Sequence, residues 1–397
     1  MTAARVSVKS SGMSDSVPEL SIVMPCLNEA RTLDVCLRKA RAFLLQYNVS
    51  GEIIVADNGS TDGSPDIARQ AGARIVNVTE KGYGAALAGG IACARGRFVI
   101  MGDSDDSYDF TALMPLLASL REGYEMVIGN RFKGGIRKGA MPFLNRYLGN
   151  PVLSTLGKIF FKIPINDFHC GLRGFDRAAL LRLDLRTTGM EYASEMIVRA
   201  ALHKLRMTEV PVTLSPDGRN RAPHLQPWRD GWRHLRFLLL YSPRWLYLYP
   251  GIAMIVAGLV IAALLLPGPV MVADGVGLDV HTLLVGAMSI LVGVQSITFA
   301  FMARMYAMKN GILPDGRYEK IFASVTVERM LVFAGLLVLA GLGGVVWAAQ
   351  IWSAKDFGAL DYRDMMRILI ASVTSFVAGL QLGFAAFLLG VMQIKHR

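Results

Sequence analysis

Cysteine is scarce in this chain, four in 397 residues, and Cys26, Cys36, Cys93 and Cys170 form no C-x-x-C pair. That excludes a disulfide framework or thiolate metal cluster and leaves reduced, structural thiols. No second histidine stands at ligand spacing from His169, so its role is structural or hydrogen-bonding rather than metal-ligating. The first seventeen residues are small and polar and lack an apolar core. A signal peptide is therefore not expected, and residues 1–17 read as a disordered terminus ahead of a cytoplasmic first half. Charge is missing from the central parts of four apolar runs, Leu246 to Leu266, Thr282 to Ala303, Leu331 to Ile351 and Leu369 to Ile394. Ion pathways and pumps usually carry such a charge, so a transporter is disfavoured.

Each of those runs is long enough for the roughly 20 helical residues that cross a bilayer core. The composition is thus split: an ordinary α/β pattern over 18–214, a polar loop and juxtamembrane segment over 215–245, and a membrane region over 246–397. Pro267 to His281 holds no Lys or Arg, whereas Arg304, Lys309, Arg317, Lys320 and Arg329 crowd the next loop and Lys395-His396-Arg397 the end. That asymmetry places both termini on the cytoplasmic side of an inner (plasma) membrane; Lys355, Arg363 and Arg367 in the third loop fit it less well. The net charge of +11 is concentrated near the membrane junction, so anionic lipid or phosphate is the expected partner and nucleic acid is not. Trp228, Trp232, Leu235 and Leu239 recur at helical spacing with Arg229, Arg233 and Arg236 between them, the pattern of an amphipathic helix in the bilayer interface. Gly379-x-x-x-Gly383 and Gly341-x-Gly343-Gly344 allow close helix contact, within the chain or in a homo-oligomer.

The soluble half is organised around Arg97 to Asp106, an apolar run that ends in Asp103-Ser104-Asp105-Asp106. Such a run suits a strand covered on both faces of a mostly parallel sheet, with its ligand beyond the carboxyl end. Two carboxylates one residue apart suit Mg²⁺ or Mn²⁺ held together with substrate phosphates; a solvated acidic turn is the plainer alternative. Upstream, Leu20 to Pro25 and Glu52 to Asp57 read as strands that turn through Pro25-Cys26-Leu27-Asn28-Glu29 and Asp57-Asn58-Gly59-Ser60-Thr61-Asp62-Gly63. Asp57 is placed to accept hydrogen bonds from a nucleoside or, more simply, to form the turn. A strand near Arg74 to Val78 leads to Lys81-Gly82-Tyr83-Gly84, a glycine-rich helix entry whose lysine suits a diphosphate or open solvent.

The ordered succession Pro25-x-x-Asn28-Glu29, Asp57 to Gly63, Lys81-Gly82-x-Gly84-x-Ala86 and Asp103-Ser104-Asp105 resembles the family 2 inverting glycosyltransferases. The resemblance implies one Rossmann-like α/β domain that binds a nucleotide sugar, with Pro25, Asn28, Glu29, Asp57, Asn58, Lys81, Asp103 and Ser104 around the nucleotide. Asp103, Asp105 and Ser107 would hold the metal. Gly129-Asn130-Arg131-Phe132-x-Gly134-Gly135 and Arg146-x-x-Gly149-Asn150 resemble the polyprenyl-phosphate (dolichyl-phosphate) mannosyl- and glucosyltransferases, in which two such arginines engage the lipid phosphate. Guanidinium groups suit that task because they bind phosphate bidentately and stay charged, although either arginine could pair with a local carboxylate. Asn150, Arg219 and Arg221 join the implied acceptor-phosphate set, and Asp167 with Gly174-Phe175 falls where that family lines the donor sugar.

The reaction implied is transfer of one hexose to polyprenyl phosphate, with Asp105, Arg131 and Arg146 catalytic. A phosphate monoester with a second pKa of about 6 needs no general base at neutral pH. Ser107 stands where mannosyl members often carry Gln, which tilts the donor toward UDP-glucose over GDP-mannose. The loop reads Gly218-Arg219-Asn220-Arg221 in place of Gly-x-Ser-Lys. The alternatives are a processive polysaccharide synthase, whose Gln-x-x-Arg-Trp motif is left incomplete by Asp230 after Gln226-Pro227-Trp228-Arg229, and a silent scaffold or lipid-linked sugar flippase.

Overall fold

The computed structural model describes residues 17–219, 227–274, 276–313, 326–358 and 362–394. Residues 1–16, Asn220, Arg221, Gln226, Arg317, Lys320, Lys395, His396 and Arg397 lie outside the described residues. The chain divides into two compact units, Met1–Leu238 and Leu239–Arg397.

The first unit is built on β1 (Leu20–Cys26), α1 (Leu33–Gln46), β2 (Gly51–Asp57), α2 (Ser64–Gln70), β3 (Arg74–Asn77), α3 (Tyr83–Cys93) and β4 (Phe98–Met101). It continues through α4 (Met114–Arg121), β5 (Met126–Asn130), α5 (Arg131–Gly134), a π-helical turn at Asn145–Gly149, α6 (Asn150–Phe161), β6 (Arg173–Asp176), α7 (Arg177–Leu181), α8 (Tyr192–Leu202), β7 (Met207–Pro211) and α9 (Pro227–Leu240). Seven strands form one sheet in the order β3-β2-β1-β4-β6-β5-β7. Every residue of β1, β4 and β5 is buried, as befits uninterrupted apolar strands with helices on both faces. Gly90 of α3 lies so close to the sheet that a Cβ there would meet Val23 Cγ1 at 2.7 Å. The small residues of this helix are what permit that approach.

The pairing is parallel except at β6, which runs antiparallel to both β4 and β5. Arg173 to Asp176 was not expected to be a strand. Its direction brings its amino end, Arg173, opposite Met101 and Ile128, near the carboxyl ends of β4 and β5. The 166–172 loop therefore reaches the same sheet edge as the ends of β1, β2 and β4. The order also reverses at β1 and β4, the topological switch point where such sheets bind ligands.

The second unit contains a helix pair, α10 (Tyr249–Leu265) and α11 (Val280–Lys309), joined through the short antiparallel β8 (Val270–Ala273) and β9 (Val276–Leu278). It is completed by α12 (Val327–Ser353) and α13 (Tyr362–Gln393). Among the described residues four helices are long and apolar enough to cross a membrane, Arg244–Leu265, Val280–Lys309, Val327–Ser353 and Arg363–Gln393. Of the glycines singled out in the sequence, Gly341, Gly344 and Gly379 make close contacts within the chain, whereas a Cβ at Gly343 would meet nothing within 4 Å. A Cβ at Gly341 would meet Phe376, one at Gly344 would meet Ser372, and one at Gly379 would meet Ala334 and Val338, so these residues let α12 and α13 pack backbone to backbone.

Candidate active site

The acidic end of β4 is held by its neighbours' backbone. Ser104 Oγ donates to the Pro25 carbonyl at 2.7 Å, and the Ser104 carbonyl accepts from Thr32 Oγ1 at 2.7 Å. These bonds fasten the β4 turn to the end of β1. Asp105 is buried and accepts from Ser107 N at 3.1 Å and Ser107 Oγ at 2.5 Å, both on Oδ1. Ser107, expected beside a metal, is engaged in orienting Asp105. Asp103 Oδ1 accepts from Tyr83 OH at 2.9 Å. Burial, followed by the charge of Asp105, pushes the Asp103 carboxyl up to about 6, while Tyr83, Arg219 and Arg131 pull it down. A carboxyl whose ionisation is disfavoured by a neighbouring carboxylate gains stability from a cation beside it.

One cationic partner is already there. Arg219 Nη2 lies 2.8 Å from Glu29 Oε1, and its Nη1 lies 3.2 Å from Asp105 Oδ2. The loop expected to meet the acceptor thus converges on the donor-side acidic pair, and Glu29 is tied up as its counter-ion. Arg221 lies outside the described residues.

The nucleotide-side residues form one interlocked edge. Asn28, at φ 58°, accepts from Thr61 N on Oδ1 at 2.7 Å, and its own N–H donates to Ser60 Oγ at 2.9 Å. Asn58 donates to the carbonyls of Val78 and Glu80 and accepts from Gly82 N at 2.8 Å. Lys81 Nζ donates to the Asn58 carbonyl at 2.7 Å. Asp57 accepts from Gly59 N at 3.1 Å and Ser60 N at 3.2 Å, so its carboxylate closes its own turn.

Arg131 is buried and committed to Asp167: its backbone N–H and Nε donate to Oδ2 at 3.0 and 2.7 Å, and Nη2 donates to Oδ1 at 2.7 Å. Its charge still reaches Asp103. Arg146 lies over the Tyr147 ring at 5.5 Å, and Asn150 Nδ2 approaches Met141 Sδ at 3.5 Å. Among the described residues no hydrogen bond or ion pair joins Arg146 to Asp103, Asp105 or Arg131. Arg131 and Arg219 are therefore brought to the acidic strand end, whereas Arg146 and Asn150 sit with the exposed Phe143, Tyr147 and Leu148.

Sequence reasoning passed over Tyr83, Tyr108 and Arg173. Tyr108 OH accepts from Gly171 N at 2.9 Å. Arg173 is wholly buried and donates to the carbonyls of Cys170 at 2.8 Å, Phe168 at 2.7 Å and Ala193 at 2.5 Å. These bonds fix the 166–172 loop against α8. Nothing in the sequence marked Arg173, since its burial follows from a short strand, Arg173–Asp176, that the sequence does not announce; once buried, an arginine must find acceptors. His169 stacks edge-on against His234 of α9 at 4.5 Å, and His234 Nδ1 shares a hydrogen bond with Ser194 Oγ at 2.9 Å. No group of three metal-ligating side chains occurs among the described residues. Glu195 accepts from Arg186 N and Thr187 N inside the fold, so it is structural. On α9, Asp230, His234, Phe237 and Leu238 are buried while Trp228 and Trp232 are exposed.

A switch-point crevice in a mostly parallel sheet, edged by the raised carboxyl of Asp103, the neighbouring Asp105 and a converging arginine, suits a phosphate-handling enzyme. Its sequence matches the glycosyl transferase family 2 model over residues 21–183 and the family 2 C-terminal transmembrane region over residues 301–393. The low-salt glycan biosynthesis hexosyltransferase Agl6 of Haloferax volcanii is 36% identical over 95% of this chain and 90% of its own. A dolichyl-phosphate hexose transferase of that organism is 30% identical over 49% of this chain and 82% of its own. Glucosyl-3-phosphoglycerate synthase from Mycobacterium tuberculosis is 22% identical, covering 56% of this chain and 79% of that one, with a TM-score of 0.44, too distant to bear on the site. The chain belongs to the family 2 glycosyltransferases and is a membrane member of that family.

Proposed function

We propose that this protein transfers one hexose from a nucleotide sugar, UDP-glucose ahead of GDP-mannose, to polyprenyl phosphate at a membrane surface. The observation that carries this reading is Arg219, a residue of the expected acceptor loop, in ion-pair contact with Asp105 and Glu29. It supports a crevice in which donor and acceptor phosphates are handled together. Asp103 and Asp105 fit Mg²⁺ or Mn²⁺, because two neighbouring carboxyl groups, one of them raised by the other's charge and one already facing a guanidinium, favour a cation there. When bound, the ion supplies Lewis-acid stabilisation of the departing diphosphate.

The chain's own residues then have separable tasks. Ser107 orients Asp105, Tyr83 orients Asp103, and the Asn28, Asn58, Asp57 and Lys81 loops hold the nucleotide end. Arg131, fixed by Asp167, places positive charge beside Asp103, and Arg219 and Arg146 draw the acceptor phosphate in, an electrostatic and positional contribution. A lipid acceptor is favoured by a second feature of the first unit. From Arg131 to Asn166 there are Arg131, Lys133, Arg137, Lys138, Arg146, Lys158 and Lys162 but no Asp or Glu. The same stretch exposes Phe143, Tyr147, Leu148, Val152 and Ile159. Apolar side chains among lysine and arginine suit an anionic lipid surface, as do the exposed Trp228 and Trp232 of α9. The catalytic unit and both termini are assigned to the cytoplasmic side on loop charge.

Incubating the full-length protein with a radiolabelled nucleotide sugar, polyprenyl phosphate and Mn²⁺ tests this. One sugar per lipid supports the proposal; a polymer would identify a processive synthase, and no product a scaffold or flippase. Thermal shift against UDP and GDP decides the base, since a ligand at a hundredfold its Kd stabilises by about 2.7 kcal/mol.

A further inference from the structure

The acidic run that ends β4 has a third member, Asp106, whose carboxylate goes to α1. Its Oδ1 accepts from Lys39 Nζ at 2.7 Å, and the Asp106 and Lys39 side chains are 28% and 33% exposed. An ion pair so open to solvent contributes little. The backbone is what sets this residue apart. Its φ is 64°, and no other residue of 102–108 has a positive φ. Aspartate tolerates this left-handed region and glycine adopts it freely, but a β-branched side chain there is a genuine outlier.

The φ and ψ of Asp106 set the angle between the two peptide planes that it joins. The plane before it carries the Asp105 carbonyl, which accepts from Gly218 N at 2.9 Å. The plane after it carries the Ser107 N–H, which donates to Asp105 Oδ1 at 3.1 Å. One bond fastens the segment that bears Arg219, and the other turns the Asp105 carboxylate. A second fastening follows one residue on, where the Ser107 carbonyl accepts from Ser215 N at 2.9 Å. The segment lies close on the turn, since a Cβ at Gly218 would meet Thr32 Cγ2 at 2.8 Å and Asp106 Cβ at 4.0 Å. A negative φ at Asp106 would rotate the two planes apart, and the bonds to Gly218 and from Ser107 would not both survive.

We propose that Asp106 is a positioning residue whose left-handed backbone, and not its carboxylate, locks the Asp105 carboxylate and the Arg219 segment into one unit. The cation site and the arginine beside it then keep a fixed register while donor and acceptor phosphates are handled. For its bearing on the reaction this rests on the roles proposed for Asp105 and Arg219; the fastening itself is readable without turnover.

The test compares Asp106→Gly, Asp106→Asn, Asp106→Val and Lys39→Met in the full-length protein. Amide hydrogen exchange is read over 103–109 and 212–219, Mn²⁺ binding by electron paramagnetic resonance, and hexose transfer to polyprenyl phosphate alongside. Asp106→Val should exchange about tenfold faster in both segments and bind Mn²⁺ about tenfold more weakly, about 1.4 kcal/mol. Asp106→Gly, Asp106→Asn and Lys39→Met, which leave the left-handed turn accessible, should stay within about threefold of wild type in exchange, Mn²⁺ affinity and transfer. Loss of Mn²⁺ binding in Asp106→Gly and Asp106→Asn with exchange unchanged would make the carboxylate a metal ligand and overturn the proposal. Unchanged exchange in Asp106→Val would overturn it equally. Should Asp106→Val fail to fold, the glycine and asparagine variants still decide, because wild-type behaviour in both is required. A wild type that makes no hexosyl lipid would overturn the assigned reaction, while the exchange pattern alone decides the fastening.

Discussion

Two strands of one sheet end in aspartate at the same edge, and the two ends behave differently. At the end of β2, Asp57 accepts the backbone N–H groups of Gly59 and Ser60, so its charge is absorbed by its own turn. At the end of β4, Asp103 has a tyrosine hydroxyl and a neighbouring carboxylate, and its carboxyl is pushed up to about 6. A charge satisfied locally builds structure; a charge left in deficit is available to a ligand. On this contrast β4 carries the chemistry and β2 carries the shape of the loop beside it.

The sharpest way to break the comparison is at Asp105. Asp105→Ala should lower hexose transfer by about a thousandfold, the scale of losing a principal electrostatic contact in a transition state, with the folded state retained. Near-normal turnover with Mg²⁺ or Mn²⁺ present would remove β4 from the reaction. Next in size is Asp167, whose pairing with Arg131 is fully buried. Asp167→Ala should cost about 3–5 kcal/mol because it strands a buried guanidinium. Double replacement with Arg131→Met should recover part of that in chemical denaturation. A loss below about 1 kcal/mol would mean that Arg131 can turn to solvent.

The acidity of the β4 end has a defined sign. Asp103 binds its proton more tightly in the folded chain than at the ordinary aspartate value of about 3.9. Its contribution to stability is therefore complete below about pH 4 and is lost as pH rises through about 6. Melting curves between pH 4 and 7.5 should show wild type losing stability, relative to Asp103→Asn, as the pH is raised. Mn²⁺ should narrow the gap at pH 7.5 and bind progressively more weakly below pH 6, where the proton competes. Parallel pH profiles for the two proteins would sink this account of the β4 end.

Much of the architecture was legible before any coordinates because its signals are local. Apolar runs ending in Asp57 and Asp103, the small-residue helix from Tyr83, and four uncharged spans are each written in consecutive residues. What escaped is written in contacts between distant segments. Arg173 to Asp176 is too short, and too broken by Arg and Asp, to announce a strand between β4 and β5. Arg131 and Arg146 stood together in motif logic, yet the fold buries one on Asp167 and leaves the other over Tyr147. Arg219 was expected beside the acceptor, and its place on Asp105 follows only from how the 215–219 segment crosses the crevice. Tyr83 looked like filler between two glycines, because nothing in the sequence tells that the β4 turn lies within reach of its hydroxyl.

Asp57 gives the smallest effect and the finest discrimination. Gly59 N and Ser60 N both donate to Asp57 Oδ2, and Ser60 N also reaches Oδ1 at 3.3 Å, so Asp57→Asn can keep its carbonyl under both amides and places an NH₂ group where the longer bond was accepted. The cost should be about 1 kcal/mol, that of one ordinary hydrogen bond. Binding of UDP, followed by calorimetry, should then weaken only as far as the loop is loosened, by less than about tenfold, the equivalent of about 1.4 kcal/mol. A hundredfold weaker UDP at unchanged stability would mean that Asp57 contacts the nucleoside directly, and the two strand ends would then share the ligand rather than divide structure from chemistry.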